Sequence, residues 1–98
     1  MPSRIYWTRQ AQNDLRAIRE HIARDAPVTA VAFVGRLKQS TERLREFPYS
    51  GRVVPEYGRE EVREVLQGNY RLIYRITKTR IDILAVYHTA RLLGEPEQ

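Results

Sequence analysis

The apolar positions of this chain change period partway along, and that change divides it in two. Ala11, Leu15, Ile18 and Ile22 recur at steps of four, three and four residues, one stripe of a helix. Asp14, Arg16, Arg19, Glu20 and Arg24 fall off the stripe and should face water. Thr8 is a suitable N-cap, and the helix should stop near Asp25-Ala26-Pro27, because the residue before proline avoids the helical region. A second stripe follows with Ala30, Phe33, Leu37, Ser40, Leu44 and Phe47, flanked by Val34 and Thr41. Pro27 fits its first turn and Pro48-Tyr49-Ser50-Gly51 ends it. So short a connection predicts an antiparallel αα-hairpin.

Outside the helices the signals are those of strands. Arg4 to Trp7 is a short β-rich run. Gly51 to Glu60, with Pro55 and Gly58, reads as a loop. Glu61 to Gln67, Tyr70 to Thr77 and Ile81 to His88 read as strands joined by turns at Gly68-Asn69 and Lys78-Thr79-Arg80. Residues 89–93 suggest a short terminal helix and residues 94–98 a frayed tail. The expected fold class is α+β: an N-terminal strand, an αα-hairpin, then a three-stranded antiparallel meander, with the helices on one sheet face. The length fits one domain, residues 1–98.

A two-residue first turn pairs Gln67 with Tyr70 and sets Leu66 opposite Arg71, Glu64 opposite Ile73 and Arg63 opposite Tyr74. A three-residue second turn pairs Thr77 with Ile81 and sets Tyr87 opposite Arg71 and His88 opposite Tyr70. Side chains alternate faces along a strand. One face then carries Val65, Leu72, Tyr74, Ile76, Leu84 and Val86 and should take the helices. The other carries Val62, Glu64, Arg71, Ile73, Arg75, Ile83, Ala85 and Tyr87; it is mixed and cationic and should be open. Burying unpaired Arg71 and Arg75 under the helices would cost several kcal/mol, which favours this register. Arg71 and Tyr87 can therefore act on one group, with Arg91 just beyond the strand. The same residues also fit ordinary ion pairs, Arg71 and Arg75 with Glu64 or Asp82.

Charge sharpens the picture. The net charge is +5, and of 17 basic residues only Lys38 and Lys78 are lysine. Arginine offers a planar fork that matches phosphate or carboxylate. Nucleic acid, a ribonucleoprotein or an acidic protein all fit as partners. There is no cysteine and only His21 and His88 could offer imidazole, so no metal site and no cofactor are expected. His21 reads as a surface or boundary residue. No signal core and no long apolar window occur, so no membrane association is expected and the cytoplasm is the default location.

Four pieces, in order, resemble the RelE/ParE superfamily of bacterial type II toxin–antitoxin toxins: WTRQAQNDLRAIREHI from Trp7, FPYSGRVVPE from Phe47, YRLIYRI from Tyr70, and the closing ILAVYHTAR. The resemblance implies a growth-inhibiting toxin with a DNA-binding antitoxin, acidic where it meets Arg71, Arg75 and Arg91. Two mechanisms live on this fold. One is metal-independent mRNA cleavage on the ribosome; the other, ParE-like, is non-catalytic inhibition of DNA gyrase. The helical half looks like ParE. The hairpin looks like the ribonuclease branch, whose motif arginines match Arg71 and Arg91, and on this ground ribonuclease activity is slightly favoured. Other nucleases of the superfamily use a glutamate after the helices and a final His-Tyr pair, to which Glu56, His88 and Tyr87 could correspond.

Cleavage would then use Arg71 and Arg91 to stabilise phosphorane charge, Glu56 or Glu64 as base and His88 or Tyr87 as acid, with Arg75 and Arg63 as further phosphate contacts. Tyr87 fits equally as a stacking platform. The register puts His88 on the helix side and turns Arg63 from the open face. No tyrosine follows Tyr87, and Arg63 is the only cation of its strand, where RelE has two lysines.

Overall fold

The computed structural model describes residues 4–90. The elements are β1 (Arg4–Trp7), α1 (Arg9–Ala23), α2 (Pro27–Arg43), one 3-10 turn (Pro48–Ser50), β2 (Arg52–Val53), β3 (Val62–Gln67), β4 (Tyr70–Ile76) and β5 (Arg80–His88). Arg91, the tail at residues 94–98 and most of the expected terminal helix lie outside the described residues.

The sheet has five strands in the order β1-β5-β4-β3-β2. β1 runs parallel to β5, and the other neighbours are antiparallel. A parallel neighbour needs a crossover, and the αα-hairpin belongs to it. The fold class is as the sequence implies, with one strand more. β2 pairs Arg52 with Glu64 and Val53 with Arg63. Two residues are too few to show a period, so it sits hidden in the expected loop.

Thr8 fastens helix to sheet. Its Oγ1 accepts from the Ala11 N–H at 3.2 Å, capping α1, and donates to the Ile83 carbonyl at 2.8 Å. Asp14 accepts from the Val86 N–H at 2.9 Å, beyond the reach of the shorter β1. Ala11, Phe33, Leu37 and Leu44 pack against Leu72, Tyr74, Ile81, Ile83 and Val86. Phe47 does not join them and is 61% exposed. The helix stops at Arg43, so the 3.6-residue period no longer governs where Phe47 points. Thr41, expected beside the stripe, is buried instead, its hydroxyl donating to the Lys38 carbonyl at 2.7 Å.

The β3–β4 register is the expected one throughout, with positive φ (58°) at Gly68 of the turn. The β4–β5 register departs from expectation near the turn. Thr77 N–H bonds the Arg80 carbonyl at 2.9 Å, so the loop is Lys78-Thr79, one residue shorter. An irregularity at Ile73/Tyr74 then restores the extra residue, and Arg71 faces Tyr87 as expected. Ile83 and Leu84 consequently exchange faces: Ile83 enters the helix-side core and Leu84 turns to the other side.

That other side is not open. Val54 is buried on it with Val62 and Ile73, and Leu84 and Tyr87 pack alongside. The segment after the helices folds down onto the sheet, held by Tyr74. The Tyr74 hydroxyl donates to the Pro48 carbonyl at 2.6 Å and accepts from the Gly51 N–H at 3.0 Å. Glycine is required there, since a Cβ on residue 51 would stand 2.6 Å from both the Glu64 carbonyl oxygen and the Tyr74 hydroxyl.

Two substitutions test this clamp by urea denaturation. Gly51→Ala should lower stability by about 1–3 kcal/mol through overpacking. Tyr74→Phe should cost about 1–3 kcal/mol by leaving a buried N–H unpaired. Burial also raises the Tyr74 pKa above its ordinary value of about 10. Its neutral form is thus favoured in the folded chain, so its contribution is intact below about pH 10 and is lost as pH rises toward the folded pKa. The alkaline fall in stability should be shallower in Tyr74→Phe, and equal slopes in the two proteins would contradict this.

Candidate functional site: a neutralised arginine under a folded-down loop

Arg71 projects from β4 toward the covered face. Its Nε donates to Glu64 at 2.6 Å, and Nη1 and Nη2 each donate to one oxygen of Glu56 at 2.8 Å. The Arg71 side chain is 7% exposed, that of Glu56 21% and that of Glu64 0%. Arg52, from β2, binds the second Glu64 oxygen. Two guanidinium groups and two carboxylates thus alternate across β2, the loop, β3 and β4. The bidentate Glu56 contact is the main cause of a raised Arg71 pKa, opposed by burial and supported by Glu64. Arg71 stays cationic, and each of its three nitrogens donates to one of the chain's own carboxylates.

The other expected site residues are dispersed. Tyr87 is half-buried opposite Arg71. Glu56, Arg71 and Tyr87 are therefore brought to one face. His88 lies on the opposite face, as its register implied, with its ring 5.4 Å from Tyr70 and Nδ1 accepting from the Ala90 N–H at 3.1 Å. Arg63 also faces away. It donates to the carbonyls of Glu60 and Gly51 (both 2.9 Å) and Tyr49 (3.2 Å), and to the Glu60 carboxylate at 2.8 Å. It acts as a strap for the loop. Arg75 is held by the buried Asp82 at 3.0 Å. Arg80 Nε lies 2.7 Å from the other Asp82 oxygen, close enough for an ion pair but at an angle that makes no hydrogen bond. The expected open, cationic face is therefore corrected: it is covered by Val54 and its neighbours, and its arginines are paired.

The pairing divides the chain. Between residues 52 and 80 every arginine (52, 59, 63, 71, 75 and 80) has a carboxylate partner. In the helical half, among the described residues, only Arg45 does, with Glu42. Arg9, Arg16, Arg19 and Lys38 are exposed and make no ion pair among the described residues. Sequence reading placed the helical arginines only as solvent-facing. That they make no ion pair could not be read from the pattern, whereas the sheet's arginines claim Glu56, Glu60, Glu61, Glu64 and Asp82. No group of three His, Cys, Asp or Glu able to hold a metal occurs among the described residues. No helix among them is long and apolar enough to cross a membrane.

Comparison with known proteins agrees with this architecture. A family model for the ParE toxin of the type II toxin–antitoxin system parDE matches residues 5–93. Toxin RelE2 of Caulobacter vibrioides is 32% identical over 90 residues, covering 92% of this chain and 99% of the relative. Putative toxin Y4kP of Sinorhizobium fredii is 35% identical over 88 residues, covering 87% and 86% respectively. The chromosomal ParDE system of P. aeruginosa contains a chain of the same fold, with TM-score 0.73 and 24% identity over 87% of this chain and 94% of that one. The chain belongs to the RelE/ParE family of type II toxin–antitoxin toxins.

Removing Arg71 should leave Glu64 as a buried charge with one partner fewer. Arg71→Ala is expected to lose about 3–5 kcal/mol of stability. Arg52→Ala, whose side chain is 60% exposed, should lose only about 0–1 kcal/mol. Chemical denaturation of both variants compares them directly; equal losses would mean that burial of the Arg71 pair contributes nothing.

Proposed function

We propose that this toxin arrests growth by ParE-like, non-catalytic inhibition of DNA gyrase. The observation that carries the reading is the internal neutralisation of Arg71. Metal-independent RNA cleavage needs a guanidinium free to meet the phosphorane charge. Arg71 instead holds Glu64 and Glu56 beneath a folded loop. The match of residues 5–93 to the ParE family model supports the same direction. This reverses the slight preference for a nuclease drawn from Arg71 and Arg91.

Ribosome-dependent mRNA cleavage is the second reading. One observation favours it: Glu56, Arg71 and Tyr87, a base, a charge stabiliser and an acid by type, share one sheet face. It requires the loop carrying Glu56 to leave Arg71 when RNA binds.

The family and the toxin–antitoxin complexes among its structural neighbours imply a cognate antitoxin. We propose that it is acidic where it meets the toxin, since opposite charge steers and fixes such contacts.

The purified toxin, added separately to a gyrase supercoiling reaction and to a translation reaction with end-labelled message, separates the mechanisms. Loss of supercoiling with intact message is expected. Message cut only when ribosomes are present, with supercoiling unaffected, would establish the nuclease reading in its place.

A further inference from the structure

Most of the described cations that make no ion pair lie in the helical half; Arg4 of β1 and Lys78 of the β4–β5 turn are the exceptions on the sheet. Arg9, Arg16 and Arg19 are exposed on α1 off the stripe of Ala11, Leu15, Ile18 and Ile22, with Arg19 flanking its Leu15 edge. At 1.5 Å per residue they span about 15 Å of helix. Two surface hollows adjoin along this face. One is lined by Tyr6, Arg9, Gln12, Asn13 and Arg16. The other is lined by Trp7, Gln12, Leu15, Arg16, Arg19 and Lys38. They share Gln12 and Arg16, and no carboxylate lines either. Of the two acids of α1, Asp14 is turned to the Val86 N–H of β5 and to Gln10, and Glu20 lines neither hollow.

We propose that this face of α1, with Lys38 of α2, binds the phosphodiester backbone of nucleic acid. Four cations that make no ion pair among the described residues, interspersed with amide donors, make a row suited to successive phosphates. Aromatic rings stand at the rim of each hollow. Tyr6 is 46% exposed, with Arg80 stacked on its ring at 4.4 Å, and Trp7 is half-buried. Flat rings beside a cationic track are where unpaired bases stack, here over what Arg80 on Tyr6 and the core under Trp7 leave accessible. An acidic polypeptide would use the charge and the amide donors alike, so it is the aromatic rims that favour a nucleic acid. The inference goes beyond the gyrase reading and does not rest on it, because its test measures binding and not growth arrest.

The test is fluorescence anisotropy of the intact toxin with a labelled DNA duplex and, separately, a labelled single-stranded RNA, at several salt concentrations. Binding should weaken with salt, with a log–log slope of about −3 to −4 on duplex for four neutralised phosphates. The triple variant Arg9→Ala, Arg16→Ala, Arg19→Ala should lose most of the affinity, and its slope should become shallower by roughly 3. These positions are exposed on a helix and alanine is the best helix former, so folding should be retained, as circular dichroism can check. Arg52→Ala, on the paired half, should bind like the parent. A preference between duplex DNA and RNA identifies the source of the backbone. No binding at low salt, or equal binding by the triple variant, overturns the proposal. So does displacement of the nucleic acid by polyglutamate at matched charge, which would make an acidic polypeptide the occupant.

Discussion

A carboxylate with no access to water, Glu64, sits between the guanidinium groups of Arg52 and Arg71, and Arg71 in turn grips Glu56 with two parallel hydrogen bonds. Much of the sheet's covered side follows from this alternation. Isolated, each of these charges would be costly to bury; together they satisfy one another. The contacts tie β2 and the loop to β3 and β4, and so hold Val54 over Val62 and Ile73. The Tyr74 hydroxyl, bridging Pro48 and Gly51, fixes the same segment at its start. Loop and sheet thus close from two ends, one neutral and one ionic.

The same closure sets the electrostatic character of the whole molecule. Five carboxylates of the sheet half are consumed by six arginines. The net positive charge is therefore expressed mainly from the helices, where most cations have no counterpart. A chain of uniform basic composition becomes a two-sided object, internally paired on one side and cationic on the other.

Much of this was legible in the residues. The Thr8 cap, the helical stripes and the Gly68 turn follow local rules of spacing and backbone geometry, and the structure obeys them. Arg71 opposite Tyr87 was also anticipated, although through a turn one residue too long; the irregularity in β5 makes up the difference. That irregularity left no mark in the pattern, because Ile83 and Leu84 are both aliphatic and either could face the core. The covered face was missed for a similar reason. Its ion pairs, Arg71 with Glu64 and Arg75 with Asp82, were considered as surface contacts, but Glu56 and Val54 reach them from a segment with no periodicity. Sequence spacing shows which faces a strand has, and it does not show what a distant loop will lay across them.

The parallel pairing of β1 with β5 has a bearing on how the chain is made. Arg4 to Trp7 leave the ribosome more than 70 residues before their partners, Arg80 to Ile83. The Thr8 hydroxyl likewise waits for the Ile83 carbonyl, 75 positions later. Until Arg80 to Ile83 have been synthesised, the first strand lacks its partner and the sheet lacks β5, the strand that joins β1 to β4. Contacts so far apart in sequence fold late. A nascent toxin therefore completes its sheet only after β5 has been made, and until then its first strand offers an unpaired edge.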